Sequence, residues 1–192
     1  MFQIRIHGRG GQGAVTAAEM LSVAAFLEGK HAQAFPSFGS ERMGAPVVSY
    51  CRIDDKEIRL REPILDPDAL IVQDPTLFKV VDLCQGLKPT GYLLVNSNRS
   101  LADLHLARHA EQMPAGHALT VPASDLALKH VGRPLPNAVL LGAFAALTGI
   151  VALKSVVAAI REKFPQKIAD QNIAAATEAH DEIAKSAIAA VA

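Results

Sequence analysis

The chain has 192 residues, 50% of them hydrophobic, with 19 basic against 19 acidic side chains and a pI near 7.1. That length and apolar content suit one domain with a sizeable core, and the balanced charge lacks the basic footprint of a nucleic-acid binder. Cys51 and Cys84 are the only cysteines and form no CxxC pair, which excludes a disulfide framework and an iron–sulfur cluster held by this chain alone, and points to a reducing cytoplasm.

Phe2, Ile4 and Ile6 alternate with Gln3, Arg5 and His7, the period of a strand. No basic region or long apolar run of a secretory leader is expected here. Gly8-Arg9-Gly10-Gly11-Gln12-Gly13 follows, and Ala14–Glu28 then carries apolar residues at spacings of three and four until Gly29 stops the helix. A short strand is expected at Ala32–Phe35, before the loop Pro36–Gly44, whose aromatic and charged residues suit function better than spacing. Pro46–Ile53 reads as a strand, and Asp54-Asp55 as a turn into a hairpin partner at Glu57–Leu60.

Asp68–Gln73 and Gly91–Asn96 are short, nearly continuous apolar runs, the pattern of strands covered on both faces. Leu101–Ala110 is expected to be a helix, His117–Val121 a strand and Ala123–His130 a short helix. From Asn137 the chain turns helical. Ala138–Leu153 is uncharged but shorter than the roughly 18 apolar residues of a membrane span. Thr148-Gly149 divides it, so it is expected to form two buried helices. Ala169–Ala190 is a last, alanine-rich helix. The order implies an α/β fold: a mostly parallel open sheet with flanking helices, a Rossmann-like opening βα unit and a helical C-terminus, over one domain of residues 1–192.

Gly8 to Gly13 satisfies G-x-G-x-x-G between a strand and a helix, where free N–H groups and the helix dipole favour a phosphate. Arg9 could add a charged contact. A dinucleotide site would also need a carboxylate at the end of the second strand, roughly 20 residues on, to hold the ribose. Gln33-Ala34-Phe35-Pro36 supplies none, and no Gly-Lys-Ser/Thr makes a Walker loop. The competing structural reading is a turn that only packs helix on strand. His105 and His109, four apart, have metal-binding spacing but no third ligand, so solvent-facing histidines are expected. Ser37 and Ser40 lack the G-x-S-x-G context of a nucleophile. No catalytic group and no metal ligand is assigned to this chain.

Three blocks, His7–Gly13, Glu28-Gly29-Lys30 and Phe35–Pro46, resemble the gamma subunit of 2-oxoacid:acceptor oxidoreductases, the pyruvate:ferredoxin enzyme being the best known. Pro67–Val72, Asp74–Leu77, Val95-Asn96, Asn137 and Leu141-Gly142-Ala143 extend the match over nearly the whole chain. The resemblance implies a non-catalytic subunit that receives coenzyme A. Its phosphates would lie at Gly8, Arg9, Gly10, Gly11, Gln12 and Gly13, with Ser40, Glu41 and Arg42 as a second loop. Thiamine diphosphate with Mg and the iron–sulfur clusters would belong to alpha and beta subunits and a ferredoxin-like partner. Where many relatives have a second arginine, this chain has Met43, which removes a cation suited to phosphate. Pyruvate, branched-chain or aryl 2-oxoacids such as phenylglyoxylate, and 2-oxoglutarate remain open as substrates, as do ferredoxin and NAD as acceptors. A purely structural adaptor and a stand-alone Rossmann-type oxidoreductase are the competing readings.

Overall fold

The computed structural model describes residues 1–37 and 43–191. Among these, the strands β1 (Phe2–Arg9), β2 (His31–Pro36), β3 (Pro46–Asp54), β4 (Ala69–Val72), β5 (Tyr92–Asn96) and β6 (Ala118–Val121) form one sheet in the order β2-β3-β1-β4-β5-β6. The helices are α1 (Ala14–Phe26), α2 (Ala107–Glu111), α3 (Ala123–Val131), α4 (Asn137–Thr148), α5 (Leu153–Lys163) and α6 (Gln166–Val191), with a 3-10 turn at Pro75–Lys79. β1 pairs in parallel with β4, β4 with β5 and β5 with β6, while β3 runs antiparallel to both its neighbours. All strands except β3 therefore point the same way, which is the mostly parallel α/β sheet expected.

The pairing register decides which side chains share a face. Ile4 lies beside Ala69 and Ile6 beside Ile71, and these residues join the main core under α1, α4, α5 and α6. α4 is apolar all round because it is buried all round, from Asn137 to Ala145. Gly149, at φ 63, ends it, and α5 starts after Ala152, so the uncharged stretch is two helices, as its dividing glycine implied.

The opposite face carries Leu70, Val72, Leu93 and Val95, covered by Leu77, Leu83 and Leu106 from the segments that follow β4 and β5. Arg5 and His7 lie on this face, beside Leu70 and Val72, and are only 9% and 6% exposed. The Arg5 guanidinium is compensated by donating to the carbonyls of Leu65, Leu83 and Gln85 at 3.2, 2.9 and 2.6 Å, which pins irregular chain over the sheet. Thus β1 is covered on both sides despite its alternating sequence.

Two expected elements are corrected. Residues 57–60 form no strand, because both edges of β3 are already bonded, to β1 and to β2, and no free ladder is left for a hairpin partner. The helix expected at Leu101–Ala110 is confined to Ala107–Glu111. Ser100 and Asp103 bond each other through the Ser100 hydroxyl at 2.6 Å, and His105 adopts a left-handed φ of 61, so this stretch closes as a turn. His105 and His109 consequently do not share a helix face.

Candidate functional site

The chain leaves β1 through α1 toward β2 and β3, and leaves β4 toward β5 and β6. The sheet order therefore reverses between β1 and β4. Open α/β sheets offer a ligand crevice at the C-terminal ends of the strands at such a point. Gly8–Gly13 closes the end of β1, and Gln73–Thr76 closes the end of β4.

Within the glycine loop the demands differ from residue to residue. Gly11 (φ 95) and Gly13 (φ 78) take the left-handed conformation that a side chain disfavours. Gly8 and Gly13 also accept close neighbours: a Cβ on Gly8 would lie 2.5 Å from Gln73 Oε1, and one on Gly13 would lie 2.5 Å from Asn137 Nδ2. Gly10 is stitched to the chain beyond β2, its N–H donating to Ala45 O at 2.9 Å and its carbonyl accepting from Gly44 N–H at 3.1 Å. Gln12 folds back, accepting the Arg9 N–H on Oε1 at 2.7 Å while its own N–H donates to Arg9 O at 3.0 Å.

The N–H groups that remain are the useful ones. No side chain caps α1, and no acidic residue sits in its first turn. Among the described residues, the N–H groups of Gly11, Gly13, Ala14, Val15 and Thr16 have no acceptor. Such an array, with the helix dipole behind it, attracts an anion.

The Arg9 side chain points elsewhere. Its Nε donates to Asp74 Oδ2 at 3.0 Å, Nη1 to Gly44 O at 3.0 Å and Nη2 to Thr76 Oγ1 at 2.9 Å. Asp74 also accepts from Gln12 Nε2 at 3.2 Å, and it caps the 3-10 turn through the Thr76 N–H at 2.9 Å and hydroxyl at 2.6 Å. Burial pushes the Asp74 carboxyl up, but the Thr76 hydroxyl and N–H, Gln12 and Arg9 together outweigh it and hold the pKa below the usual range. The pair is a neutral, ionised wall beside the loop.

Behind this wall, Gln73 is 1% exposed, and neither of its amide atoms has a partner among the described residues. Asn96, ending β5, donates to Gln73 O at 2.7 Å and to Ser124 Oγ at 2.8 Å, tying β4, β5 and α3 together below the crevice. Sequence reasoning did not single out Gln73, Asp74 or Thr76 as site residues. The signal was present: Asp74-Pro75 is a helix-start signature, an acceptor before a proline at the first helical position.

Of the residues expected at the site, Gly8, Arg9, Gly10, Gly11, Gln12 and Gly13 come together at the α1 N-terminus. Ser40, Glu41 and Arg42 lie outside the described residues. Met43, 87% exposed, lays its side chain over Gly11, with Sδ 3.2 Å from where a Cβ there would sit. The thiols are poor ligands and nucleophiles: burial pushes Cys51 up to about 12, and burial aided by Asp82 and opposed by Arg5 pushes Cys84 up to about 11. Among the described residues no cluster of three or more His, Cys, Asp or Glu side chains could hold a metal, and no helix is long and apolar enough to cross a membrane.

A cavity of about 660 Å³ is bordered by the Pro75–Lys79 turn, including Pro75 and Thr76 next to this wall. Its Lys79 and Arg99 are balanced by Asp82 and Asp103, so it lacks the net positive character of an anion site.

The family model described as pyruvate ferredoxin/flavodoxin oxidoreductase matches residues 3–182. The common gamma subunit of the pyruvate/ketoisovalerate oxidoreductases of Thermococcus litoralis is 48% identical over 181 residues, covering 94% of this chain and 96% of that one. The crystal structure of pyruvate oxidoreductase subunit PORC from Thermotoga maritima superposes with a TM-score of 0.78 at 36% identity, over 94% of this chain and 95% of that one. The 2-oxoglutarate:ferredoxin oxidoreductase of Magnetococcus marinus, solved with 2-oxoglutarate, coenzyme A and succinyl-CoA, shares the fold with a TM-score of 0.72 at 18% identity; 98% of this chain matches 31% of that one.

Proposed function

Since this chain belongs to the pyruvate ferredoxin/flavodoxin oxidoreductase family, as a gamma subunit of a multisubunit 2-oxoacid:ferredoxin oxidoreductase, we propose that its share of that enzyme's work is to hold coenzyme A by its phosphates. The observation that carries this reading is the set of N–H groups, those of Gly11, Gly13, Ala14, Val15 and Thr16, that have no acceptor among the described residues, at the point where the sheet order reverses. A diphosphate laid across the N-terminus of α1 would accept from those groups, at a place where no acidic side chain of the first turn opposes it. The same reading gives Ser40, Glu41 and Arg42 the second loop around the coenzyme. It treats residues 1–192 as one gamma-type domain working in the cytoplasm.

In this proposal the chain performs no bond-making step. Thiamine diphosphate with Mg, supplied by alpha and beta subunits, would take the 2-oxoacid through decarboxylation, and a ferredoxin-like iron–sulfur subunit would accept the electrons. The donor set here fits that division, since two separated, buried-to-half-buried thiols of raised pKa could not hold a cluster. What this chain contributes is position: fixing the coenzyme's phosphates lets the thiol end reach the acyl group at a partner's site without the entropy cost of free encounter.

The geometry disfavours a stand-alone dinucleotide enzyme. The place beside β1 where a Rossmann sheet carries its ribose-binding second strand is taken here by the antiparallel β3, and β2 ends in Phe35-Pro36 with no carboxylate. The structural adaptor is separated by Gly11→Ala in the assembled enzyme, which is expected to raise the KM for coenzyme A with the partner subunits retained. An unchanged KM would leave the adaptor. The coenzyme's role in turnover is checked on the complex itself. The tagged chain, purified with its natural partners, is expected to bring down thiamine- and cluster-bearing subunits, and the complex to reduce ferredoxin with a 2-oxoacid only when coenzyme A is present. Turnover that is indifferent to coenzyme A contradicts the proposal.

A further inference from the structure

Arg9 is the cation that a phosphate-binding reading would place on the ligand, yet three of its N–H donors are spent on protein: Asp74 Oδ2, Gly44 O and Thr76 Oγ1. Its side chain is 29% exposed and that of Asp74 14%. The pairing spans chain 65 residues apart and connects three separate segments: the glycine loop, the 3-10 turn after β4, and the Met43–Ala45 stretch that leads into β3. Gln12 completes the frame, bonding both the Arg9 backbone N–H and Asp74 Oδ2.

We propose that Arg9 and Asp74 act as a positioning pair, a strut that fixes the spacing of the glycine loop from its two neighbouring segments, and that neither side chain contacts the ligand. This inference rests on the reading of the loop as the coenzyme A cradle. Left-handed glycines give the loop its shape but no rigidity, since glycine loses the most conformational freedom on ordering. Side-chain bonds from Arg9 and Gln12 to Asp74 supply that order before the ligand arrives, so less of the binding free energy is spent on it. The pair also acts electrostatically. A carboxylate within the cradle wall would repel phosphate if left alone, and the guanidinium neutralises it in place.

The test uses the assembled enzyme and four variants. Asp74→Asn is selective, because the retained Oδ1 still caps Thr76, while an NH2 group replaces the oxygen that met Arg9 and Gln12, setting donor against donor. Arg9→Lys keeps the charge but cannot reach Asp74, Thr76 and Gly44 together. Each is expected to raise KM for coenzyme A about tenfold, the loss of one charge-assisted bond. Saturated kcat and the KM for the 2-oxoacid should stay within about twofold of wild type. The double variant should be no worse than either single one, since one strut can be lost only once. Gly11→Ala, which strains the loop itself, calibrates the assay.

If Arg9 instead grips phosphate and Asp74 competes for it, Asp74→Asn lowers KM for coenzyme A. That result, or an unchanged KM alongside a raised one in Gly11→Ala, overturns the strut and leaves the cradle standing. An unchanged KM for coenzyme A in Gly11→Ala as well removes the cradle and the strut with it. Retained co-purification of the partner subunits separates all these outcomes from misfolding, and Arg9→Lys decides the question should Asp74→Asn fail to assemble.

Discussion

His7 stands two residues before Arg9 on β1, facing Val72 with Nε2 unpartnered among the described residues, and is 6% exposed. Burial, reinforced by the Arg5 guanidinium, pulls its pKa down to about 4, from 6.5 in the unfolded chain. The folded state thus keeps the ring neutral while the unfolded state takes up a proton below pH 6.5, so stability is whole above that pH and declines as pH falls toward 4. The full loss is about 3 kcal/mol. His7→Leu should flatten the dependence of the denaturation midpoint on pH between 6.5 and 4; an unaltered slope would mean that another group carries it. Asp74, with its lowered pKa, acts in the same sense but only in stronger acid: its contribution holds above the ordinary carboxylate range and disappears as pH falls through its own value. At this scale the sequence revealed residue types but not partners. Arg9 was visible as a cation beside four glycines, whereas its partner lies 65 positions away and only the pairing of β1 with β4 brings the two together.

At the scale of elements, α4 and α6 approach each other closely at Gly142. A Cβ on Gly142 would lie 2.0 Å from the Ala176 carbonyl oxygen, so glycine is what lets these helices touch. Gly142→Ala, a change that favours an isolated helix, should here destabilise the chain by about 1–3 kcal/mol, because α4 must move off α6. Equilibrium denaturation measures it, and an equal or higher stability would show that the helices are free to separate. Elements with a local signature were legible: the strand–glycine–helix opening, the continuous apolar strands β4 and β5, and the two helices divided by Gly149. Those decided by distant chain were not. Glu57–Leu60 failed as a strand because β3 had already taken β1 and β2 as neighbours. Leu101–Ala110 failed as one helix because the Ser100–Asp103 bond and the left-handed His105 close a turn that helix periodicity does not register.

On the scale of the whole molecule, the sheet order β2-β3-β1-β4-β5-β6 sets the glycine-rich loop at the crevice proposed as the site. It places the reversal between β1 and β4, so that the loop after one strand and the Asp74–Thr76 turn after the other form facing walls. The glycine loop was readable from spacing; the second wall was not, because the order of strands is a property of the folded chain. The antiparallel β3 is also what separates this molecule from a dinucleotide-binding sheet, though its opening motif is shared. The central claim, that coenzyme A phosphates rest on the N-terminus of α1, concerns backbone N–H groups, and hydrogen–deuterium exchange in the assembled enzyme reads those groups directly. With saturating coenzyme A, amide exchange across Gly11–Thr16 should slow severalfold while the distant amides of α5 remain unchanged. Protection confined to the partner subunits, with Gly11–Thr16 exchanging as before, would contradict the account.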